Sequence, residues 1–165
     1  TLMNVLSGLY LPDQGRIAVD GRNVQINGPA HANSLGIGMV HQNFKLVRPF
    51  SVAENVMLAN PPTGTSWANG IQAVKDEIER YCQELGFTLD PDAGVESISV
   101  SEQQRIEIIK VLMGGAKLLI LDEPTAVLTD EEADRVLTMA RDLARRGTCV
   151  VLITHKLREV LEYAD

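Results

Sequence analysis

The chain has 165 residues, of which 45% are hydrophobic and 22% charged, a composition typical of a single globular domain. Its net charge of −7 argues against a dedicated nucleic-acid-binding protein, because phosphate contacts need clustered Lys and Arg side chains. No apolar run approaches the ~20 residues of a membrane span, and no signal peptide is visible.

The N-terminal stretch predicts a helix followed by a β-hairpin. Residues 1–9 carry one apolar stripe at helical spacing, which consists of Leu2, Val5, Leu6 and Leu9. Short strands are predicted at residues 16–20 and 24–26. They are joined around Asp20-Gly21-Arg22-Asn23, a stretch that predicts a hairpin.

A second strand region is predicted at residues 36–40, after a short helix over residues 30–35 that stops at Gly36. This strand delivers His41 and Gln42 to a loop. A lone glutamine in a loop is usually only a surface amide. Gln42 therefore acquires a functional interpretation only from the motifs that accompany it.

The middle of the chain, residues 51–115, is predicted to be entirely helical. Ser51 and Glu54 have the spacing of a capping box, so a helix should begin at Val52. A Pro-Gly-rich stretch at residues 60–64 then breaks the pattern. A long amphipathic helix follows, and its apolar positions are Ile71, Val74, Ile78, Tyr81, Cys82 and Leu85.

Two overlapping capping boxes then precede a helix that should run to about Met113. One pairs Ser99 with Glu102 and the other pairs Ser101 with Gln104, and either could begin the helix. A helix N-terminus with free N–H groups binds anions well. A simple well-capped helix is the plainer interpretation of the same residues.

Two adjacent carboxylates follow a continuous apolar run at residues 118–121. Such a run fits a strand buried on both faces, so Asp122 and Glu123 should lie at its carboxyl end, where open α/β sheets bind ligands. Successive side chains of a strand point to opposite faces, so one carboxylate could hold a metal ion while the other polarises a water molecule. The alternative is a strand that ends in a solvated acidic turn.

The C-terminal third predicts a helix, a strand and a last helix. Thr129 and Glu132 form a capping box, and residues 148–154 form a second buried strand with His155 at its tip. A strand–helix–strand unit has parallel strands, so His155 should reach the same edge of the sheet as Asp122 and Glu123. The last helix begins near Lys156 and should turn three apolar side chains inward, namely Leu157, Val160 and Leu161.

These motifs, in this order, resemble those of the ATP-binding subunits of ABC transporters, and the resemblance covers nearly the whole chain. Residues 118–123 are similar to the Walker B strand, Gln42 to the Q-loop glutamine, residues 98–103 to the signature loop, residues 126–129 to the D-loop and His155 to the switch histidine. The sequences of three stretches resemble those of importers of simple sugars and nucleosides in particular, and these are residues 36–42, 52–56 and 123–129.

The resemblance implies an α/β fold: a P-loop NTPase-like parallel sheet core with an inserted α-helical subdomain. Residues 1–165 would form a single, truncated ATPase domain. Within it, residues 1–50 and 116–165 would make up the α/β core, and residues 51–115 the helical subdomain with the signature loop.

The resemblance also implies ATP and Mg²⁺ as cofactors. Asp122 and Gln42 would contact the metal ion, Glu123 would orient or deprotonate the attacking water, and His155 would stabilise the transferring phosphoryl group. Ser99, Ser101 and Glu102 of the signature loop would contact nucleotide held by a second ATPase domain, in the same chain or in a dimer.

The partners implied are transmembrane permease subunits and, indirectly, an extracytoplasmic solute-binding protein, with no nucleic acid. The expected location is peripheral, at the cytoplasmic face of the cell membrane.

Two features of the sequence depart from the family pattern, namely the phosphate loop and Ser101. Thr1 matches the last residue of a Gly-rich phosphate loop ending Gly-Lys-Ser-Thr, so the resemblance implies that Thr1 contacts nucleotide and that the Lys would precede it. Residues 1–165 alone are therefore expected to bind ATP weakly and to be inactive. Ser101 stands where the signature loop normally has Gly, and its Cβ could obstruct the approach of a backbone N–H to the γ-phosphate. A degenerate, non-hydrolysing module is therefore one alternative. A non-transport ABC ATPase acting on DNA or ribosomes is the other.

Overall fold

The computed structural model describes residues 2–62, 64 and 66–165. Within these residues, helices and strands follow one another in an α/β order. The helices are α1 (Leu2–Leu6), α2 (Pro29–Ser34), α3 (Val52–Ala59), α4 (Trp67–Leu85), α5 (Val100–Met113), α6 (Asp130–Arg145) and α7 (Leu157–Tyr163). The strands are β1 (Ile17–Val19), β2 (Arg22–Val24), β3 (Ile37–Val40), β4 (Leu118–Asp122) and β5 (Cys149–Ile153).

A parallel sheet with the order β3-β4-β5 lies at the centre of the described chain. Val40 of β3 pairs with Leu121 of β4, and Asp122 of β4 pairs with Ile153 of β5. Because all three strands run in the same direction, their carboxyl ends meet at one edge. The predicted parallel sheet and the predicted meeting of the residues that follow β4 and β5 are both confirmed.

The middle strand, β4, is buried on both faces, as its continuous apolar pattern predicts. Leu119, Ile120 and Leu121 are each 0% exposed. Leu119 and Leu121 pack with α5 and α6, whereas Ile120 packs on the other face with residues near α1, α2 and the hairpin. Each of these side chains contributes about 1.5–3 kcal/mol by leaving water, so the middle of β4 is held in place more firmly than the ends of the strand.

The strand β5 differs from its prediction as a second buried strand. Its residues are only half-buried, and Cys149 is exposed. In the described sheet β5 pairs with β4 alone, so one of its edges carries no neighbouring strand. An apolar run in the sequence cannot distinguish a central strand from an edge strand of this kind.

Helices begin where the capping boxes predict. Ser51, Ser99 and Thr129 each accept a hydrogen bond from the backbone of the residue three positions later, whose side chain accepts one in return. Of the two overlapping boxes before α5, the one that forms is Ser99 with Glu102. Ser101 lies in the first turn of the helix and does not cap it.

The segment between residues 51 and 115 contains α3, α4 and α5 and no strand among its described residues. These helices share a core whose buried members are Val52, Ala53, Val56, Met57, Val74, Ile78, Cys82, Val95, Ile106 and Ile109. The helix α5 also sends Ile108 and Leu112 into the core beside the sheet. The division into a core and a helical subdomain stays a prediction, because α5 contributes to both clusters.

The hairpin β1–β2 forms around a two-residue turn, although β2 begins at Arg22 and not at Val24 as predicted. Val19 pairs with Arg22, which leaves Asp20 and Gly21 in the turn with φ of 50° and 75°. A turn with both central residues at positive φ matches the twist of the two strands and favours an Asp-Gly pair.

The predicted helix over residues 1–9 is shorter in the structure and ends at Leu6. Gly8 adopts φ of 77°, and the Leu9 N–H donates to the Asn4 carbonyl at 2.8 Å, so the helix ends three residues earlier than the apolar stripe suggests. Leu2 and Leu9 are 67% and 41% exposed, so both ends of the predicted apolar stripe lie in solvent.

The inward face predicted for the last helix is wrong. Leu157, Val160 and Leu161 are all exposed, and the buried residue of α7 is Glu159. The helix docks on α6 by polar contacts, since Arg158 forms an ion pair with Asp134 at 3.0 Å.

Among the described residues, no helix combines the length and the apolarity needed to cross a bilayer.

Gly38 in β3 lies where the sheet meets α5, and we predict that Gly38→Ala destabilises the protein. A Cβ at this position would fall 2.2 Å from Val111 Cγ1 and 3.1 Å from Ala116 Cβ. Valine is stiff about χ1 and cannot swing away, so the overpacking should lower the free energy of unfolding by about 1–3 kcal/mol in urea denaturation.

Gly94→Ala is the matched control, because a Cβ at Gly94 meets nothing within 4 Å and its φ of −69° suits alanine. It should leave the free energy of unfolding unchanged or slightly higher. Equal losses in the two variants would contradict the packing argument.

Candidate active site at the carboxyl edge of the sheet

Three side chains singled out from the sequence meet at the carboxyl edge of the sheet. Gln42 lies two residues beyond β3, Glu123 directly follows β4, and His155 lies two residues beyond β5. Glu123 is 81 residues from Gln42 and 32 residues from His155 in the chain, and the parallel strands bring all three to one edge.

Glu123 is the centre of this group. Gln42 Nε2 donates a hydrogen bond to Glu123 Oε2 at 3.2 Å, and His155 Nδ1 lies 3.3 Å from Glu123 Oε1. The Glu123 side chain is 31% exposed and that of His155 is 69% exposed, so both remain accessible to a ligand. A carboxylate held by one partner on each oxygen has a defined direction and can act as a general base.

The backbone of Glu123 is in an unusual conformation. Its φ is 47°, in the left-handed region that residues other than glycine rarely adopt. Its N–H donates to the Ile153 carbonyl at 2.9 Å, which continues the β4–β5 pairing by one residue past the strand. Strain of this kind persists where the surrounding structure holds it and is concentrated at functional sites.

Asp122 is half-buried at the last position of β4. It lies close enough to His41 to raise the pKa of that imidazole, but burial lowers the pKa of His41 more strongly and Lys45 adds to the lowering. The net pKa of His41 lies below its ordinary value, so this ring is neutral at pH 7. Because the His41 ring is neutral, it offers Asp122 no ion pair.

The residues at this edge suit a magnesium ion. Mg²⁺ prefers oxygen ligands and usually takes only one or two from the protein. Asp122 offers a carboxylate, and the amide nitrogen of Gln42 is turned to Glu123, which leaves its carbonyl oxygen for a metal ion. The described residues contain no cluster of three or more His, Cys, Asp or Glu that could hold an ion alone, so a ligand would have to supply the remaining donors.

The loop after β3 is fastened to the middle of α5 by backbone hydrogen bonds to an ion pair within that helix, which sequence reasoning missed. The Lys45 N–H donates to Glu107 Oε1 at 2.9 Å, and Lys110 Nζ lies 3.1 Å from the same oxygen. Lys110 Nζ also donates to the Lys45 carbonyl at 3.4 Å. Glu107 is only 8% exposed. A charged residue within the apolar pattern of α5 was the one available signal, and its partner could not be read from the sequence.

The predicted signature loop forms the first turn of α5. Ser99 accepts a hydrogen bond from the Glu102 N–H at 3.2 Å, and Glu102 Oε2 accepts one from the Ser99 N–H at 2.8 Å. The Ser99 hydroxyl and N–H together lower the pKa of Glu102. Ser101 is 5% exposed as a whole residue, and its hydroxyl has no hydrogen-bond partner within the described chain. The accessible part of the turn is therefore Ser99, Val100 and Glu102.

The predicted site residues form two separate groups. Gln42, Asp122, Glu123 and His155 share the sheet edge, whereas Ser99, Ser101 and Glu102 lie at the start of α5. Across the described ranges no hydrogen bond or ion pair joins the two groups. An open groove of about 800 Å³ lies between the loop after β3 and the start of α5, and Gln42, Val100, Gln103 and Val127 are among its lining residues. Thr1, predicted to contact nucleotide, lies outside the described residues.

The profile of the ABC transporter family matches residues 1–126 of the chain. A nucleoside import ATP-binding protein of Lactococcus lactis is 44% identical over 165 residues, which is 100% of this chain and 32% of that protein. A ribose import ATP-binding protein of Rubrobacter xylanophilus is 41% identical over 165 residues, 100% of this chain and 33% of that protein. The chain therefore spans about a third of the length of the curated relatives it matches.

The fold is also that of solved ATP-binding cassettes. The crystal structure of a nucleotide-free ATP-binding cassette from an ABC transporter superposes with a TM-score of 0.81 at 23% sequence identity. The superposition covers 98% of this chain and 68% of that one. The α/β fold class predicted from the sequence is confirmed by this likeness.

Two serines in the first turn of α5 should respond in opposite ways to alanine. Ser101→Ala removes an enclosed hydroxyl without a partner, so it should raise the free energy of unfolding by about 1 kcal/mol. Ser99→Ala removes the helix cap and should lower it by about 1 kcal/mol. Chemical denaturation of both variants measures the difference. A loss of stability in Ser101→Ala would mean that its hydroxyl is satisfied by a buried water.

Proposed function

The chain belongs to the ABC transporter family, and we propose that it is part of an ATPase that hydrolyses ATP to energise uptake of a simple sugar or nucleoside. The observation that carries the proposal is Glu123, held between Gln42 and His155 at the carboxyl edge of the sheet. Support for the solute class comes from the relatives, which are import ATP-binding proteins for nucleosides and for ribose.

In this proposal Glu123 is the general base for the attacking water. Its two oxygens are each held by one neighbour at 3.2 and 3.3 Å, which fixes the direction in which the carboxylate accepts a proton. Phosphoryl transfer needs little covalent help from the protein, so positioning and electrostatic stabilisation account for most of the rate. A base that is both half-exposed and oriented meets that need.

His155 stabilises charge on the transferring phosphoryl group. It lies 3.3 Å from Glu123 through Nδ1, so Nε2 is free to face a phosphate. Its exposed position at the tip of the segment after β5 allows that approach. Because His155 contacts the base directly, the two residues would act on the water and on the phosphate as one unit.

Asp122 and Gln42 would hold Mg²⁺, which when bound neutralises charge on the ATP phosphates. The half-buried Asp122 carboxylate offers the charge, and the Gln42 carbonyl offers a second oxygen from the neighbouring strand.

The turn that begins α5 would contact nucleotide held by a second ATPase domain, in the same chain or in a dimer. The separation of Ser99, Ser101 and Glu102 from the Glu123 group supports a site shared between two domains, because within one domain the two groups do not touch. Ser99 and Glu102 are the accessible members, and Ser101 lies behind them.

Transmembrane permease subunits are the proposed partners, with the protein at the cytoplasmic face of the membrane and an extracytoplasmic solute-binding protein acting indirectly. Gln42 would report nucleotide occupancy to the permease. Its loop is suited to this task, since it contacts Glu123 at one end and is fastened to α5 through Lys45 and Glu107 at the other. The importer names of the relatives favour this function over a non-transport ATPase.

The first test of the function is Glu123→Gln in the full-length protein assembled with its permease. An amide cannot accept the proton of the attacking water, so the rate of ATP hydrolysis should fall by ~10²–10⁴-fold while ATP binding is retained. Steady-state phosphate release and equilibrium ATP binding are the two measurements.

Glu131→Gln is the matched control. Glu131 is an exposed residue in the first turn of α6, and its described ion-pair partner is Arg135 on the same helix. It should leave turnover at the wild-type level. If Glu123→Gln retained more than about half of wild-type turnover, the role of general base would be refuted.

Ser101→Gly distinguishes an active domain from the degenerate alternative. From the sequence, Ser101 was expected to obstruct the signature loop, in which case glycine would raise turnover. The enclosed position of Ser101 leads us to expect turnover within about twofold of wild type at saturating Mg²⁺-ATP, far less than the ~10²–10³-fold that one transition-state donor is worth. A large rise in the glycine variant would support a domain that is impaired as it stands.

A further inference from the structure

A buried carboxylate in α7 is bonded to both segments that carry Glu123 and His155. Glu159 is 5% exposed, and each of its oxygens accepts a hydrogen bond from a threonine hydroxyl. Thr125 Oγ1 donates to Oε1 at 2.5 Å, and Thr154 Oγ1 donates to Oε2 at 2.6 Å. One side chain thus joins two segments that are 29 residues apart in the sequence.

Lys156 completes this network. Its Nζ lies 3.5 Å from Glu159 Oε1 and donates to the Thr125 carbonyl at 2.9 Å. Its backbone N–H donates to Thr154 Oγ1 at 3.0 Å. Burial raises the pKa of Glu159, but the two hydroxyl hydrogen bonds and Lys156 together lower it by more. The net pKa lies below its ordinary value, so the group is ionised at neutral pH. A buried carboxylate that is paired and fully hydrogen-bonded is stable, and it constrains everything bonded to it.

The two threonines are attached to the proposed chemistry. Thr125 follows Glu123 by two residues, and Thr154 immediately precedes His155. A backbone hydrogen bond from the Glu123 N–H to the Ile153 carbonyl already ties the two segments on the sheet side. Glu159 ties them a second time, from the α7 side. The 3.3 Å contact between Glu123 and His155 is therefore held by connections on both sides.

The backbone of Glu123 is strained, and the second connection through Glu159 helps to hold it in that conformation. A residue other than glycine at φ of 47° is strained and persists only where its neighbours hold it. Thr125, two residues away, is 1% exposed and is anchored through both its hydroxyl and its carbonyl. Releasing the hydroxyl would allow the segment from Glu123 to Thr125 to relax away from its strained form.

We propose that Glu159 is a positioning residue for ATP hydrolysis, and that its carboxylate, by bridging Thr125 and Thr154, holds Glu123 and His155 in contact. Glu159 touches neither nucleotide nor water and acts only through the two threonines. This inference rests on the proposed function, because it assigns Glu159 to the same reaction.

Glutamine is the informative replacement at this position. Both threonine hydroxyls donate to Glu159, and a carboxylate accepts on both of its oxygens. An amide of the same size accepts on one side only and presents an N–H to the other hydroxyl. A threonine hydroxyl can turn to accept from that N–H, so Glu159→Gln preserves the volume of the side chain but replaces two charge-assisted hydrogen bonds by neutral ones and removes the charge that Lys156 faces.

The experiment measures steady-state ATP hydrolysis by the full-length protein assembled with its permease. Glu159→Gln should lower kcat by about tenfold or more, since small misplacements of reacting groups are costly, and should leave KM for ATP within about twofold. The matched control is Glu162→Gln. Glu162 lies on the same helix one turn away, is exposed and pairs with Arg158. It should change neither constant.

A double-variant series separates positioning from a purely structural role. If Glu159 acts through His155 and Glu123, then adding Glu159→Gln to His155→Ala should lower kcat by less than about twofold further, because residues that work as a unit are not additive. A purely structural defect would multiply the two losses.

A second pair of variants covers the case in which Glu159→Gln does not fold. Thr125→Val removes the hydroxyl and should lower kcat, whereas Thr125→Ser keeps it and should restore wild-type turnover.

The positioning role is overturned if Glu159→Gln keeps kcat within twofold of wild type, if the losses multiply in the His155→Ala background, or if Thr125→Val and Thr125→Ser behave alike. Failure of the proposed function looks different. In that case wild type and Glu123→Gln would show the same lack of ATP hydrolysis, and both proposals would fall. Wild-type hydrolysis that Glu123→Gln abolishes, with no effect of Glu159→Gln, would remove the positioning role alone.

Discussion

The burial of β4 on both faces is the constraint on which the rest of the structure depends. Its three central side chains are 0% exposed and pack against helices on both sides of the sheet. A strand held so firmly ends at a defined place, and the first residues that can reach water are Asp122 and Glu123. Because β3 and β5 run parallel to β4 on either side, their terminal loops bring Gln42 and His155 to the same place.

Polar contacts then adjust what the apolar core has placed. Glu123 bends out of the strand at positive φ, and its two oxygens are held by a glutamine from one neighbouring loop and a histidine from the other. Behind it, Glu159 connects the segments that carry Glu123 and His155. The site is thus a set of hydrogen bonds among loops whose starting points are fixed by packing.

The helix α5 connects this site to the middle segment of the chain. At its first turn, Ser99 and Glu102 cap the helix and present the predicted signature loop. One to two turns further on, Glu107 and Lys110 hold the loop that begins with Gln42. Near its end, Leu112 enters the core beside the sheet. A displacement of α5 would therefore be felt both at the signature loop and at the loop after β3.

By itself the sequence determined the order of the elements, the capped starts of α3, α5 and α6, the burial of β4 and the meeting of Glu123 with His155. These features follow from local hydrogen bonding, from periodicity and from the parallel direction of strands joined by a helix.

Only the tertiary structure decided which side chains face inward on short or exposed elements. The apolar stripe of α7 proved exposed while Glu159 proved buried, because Thr125, 34 residues away, and Thr154 and Lys156, just before the helix, satisfy its charge. The pairing of Glu107 with Lys45, 62 residues apart, has the same origin. Periodicity shows how apolar a face of a helix is, but not whether another element supplies a polar partner for a charged side chain.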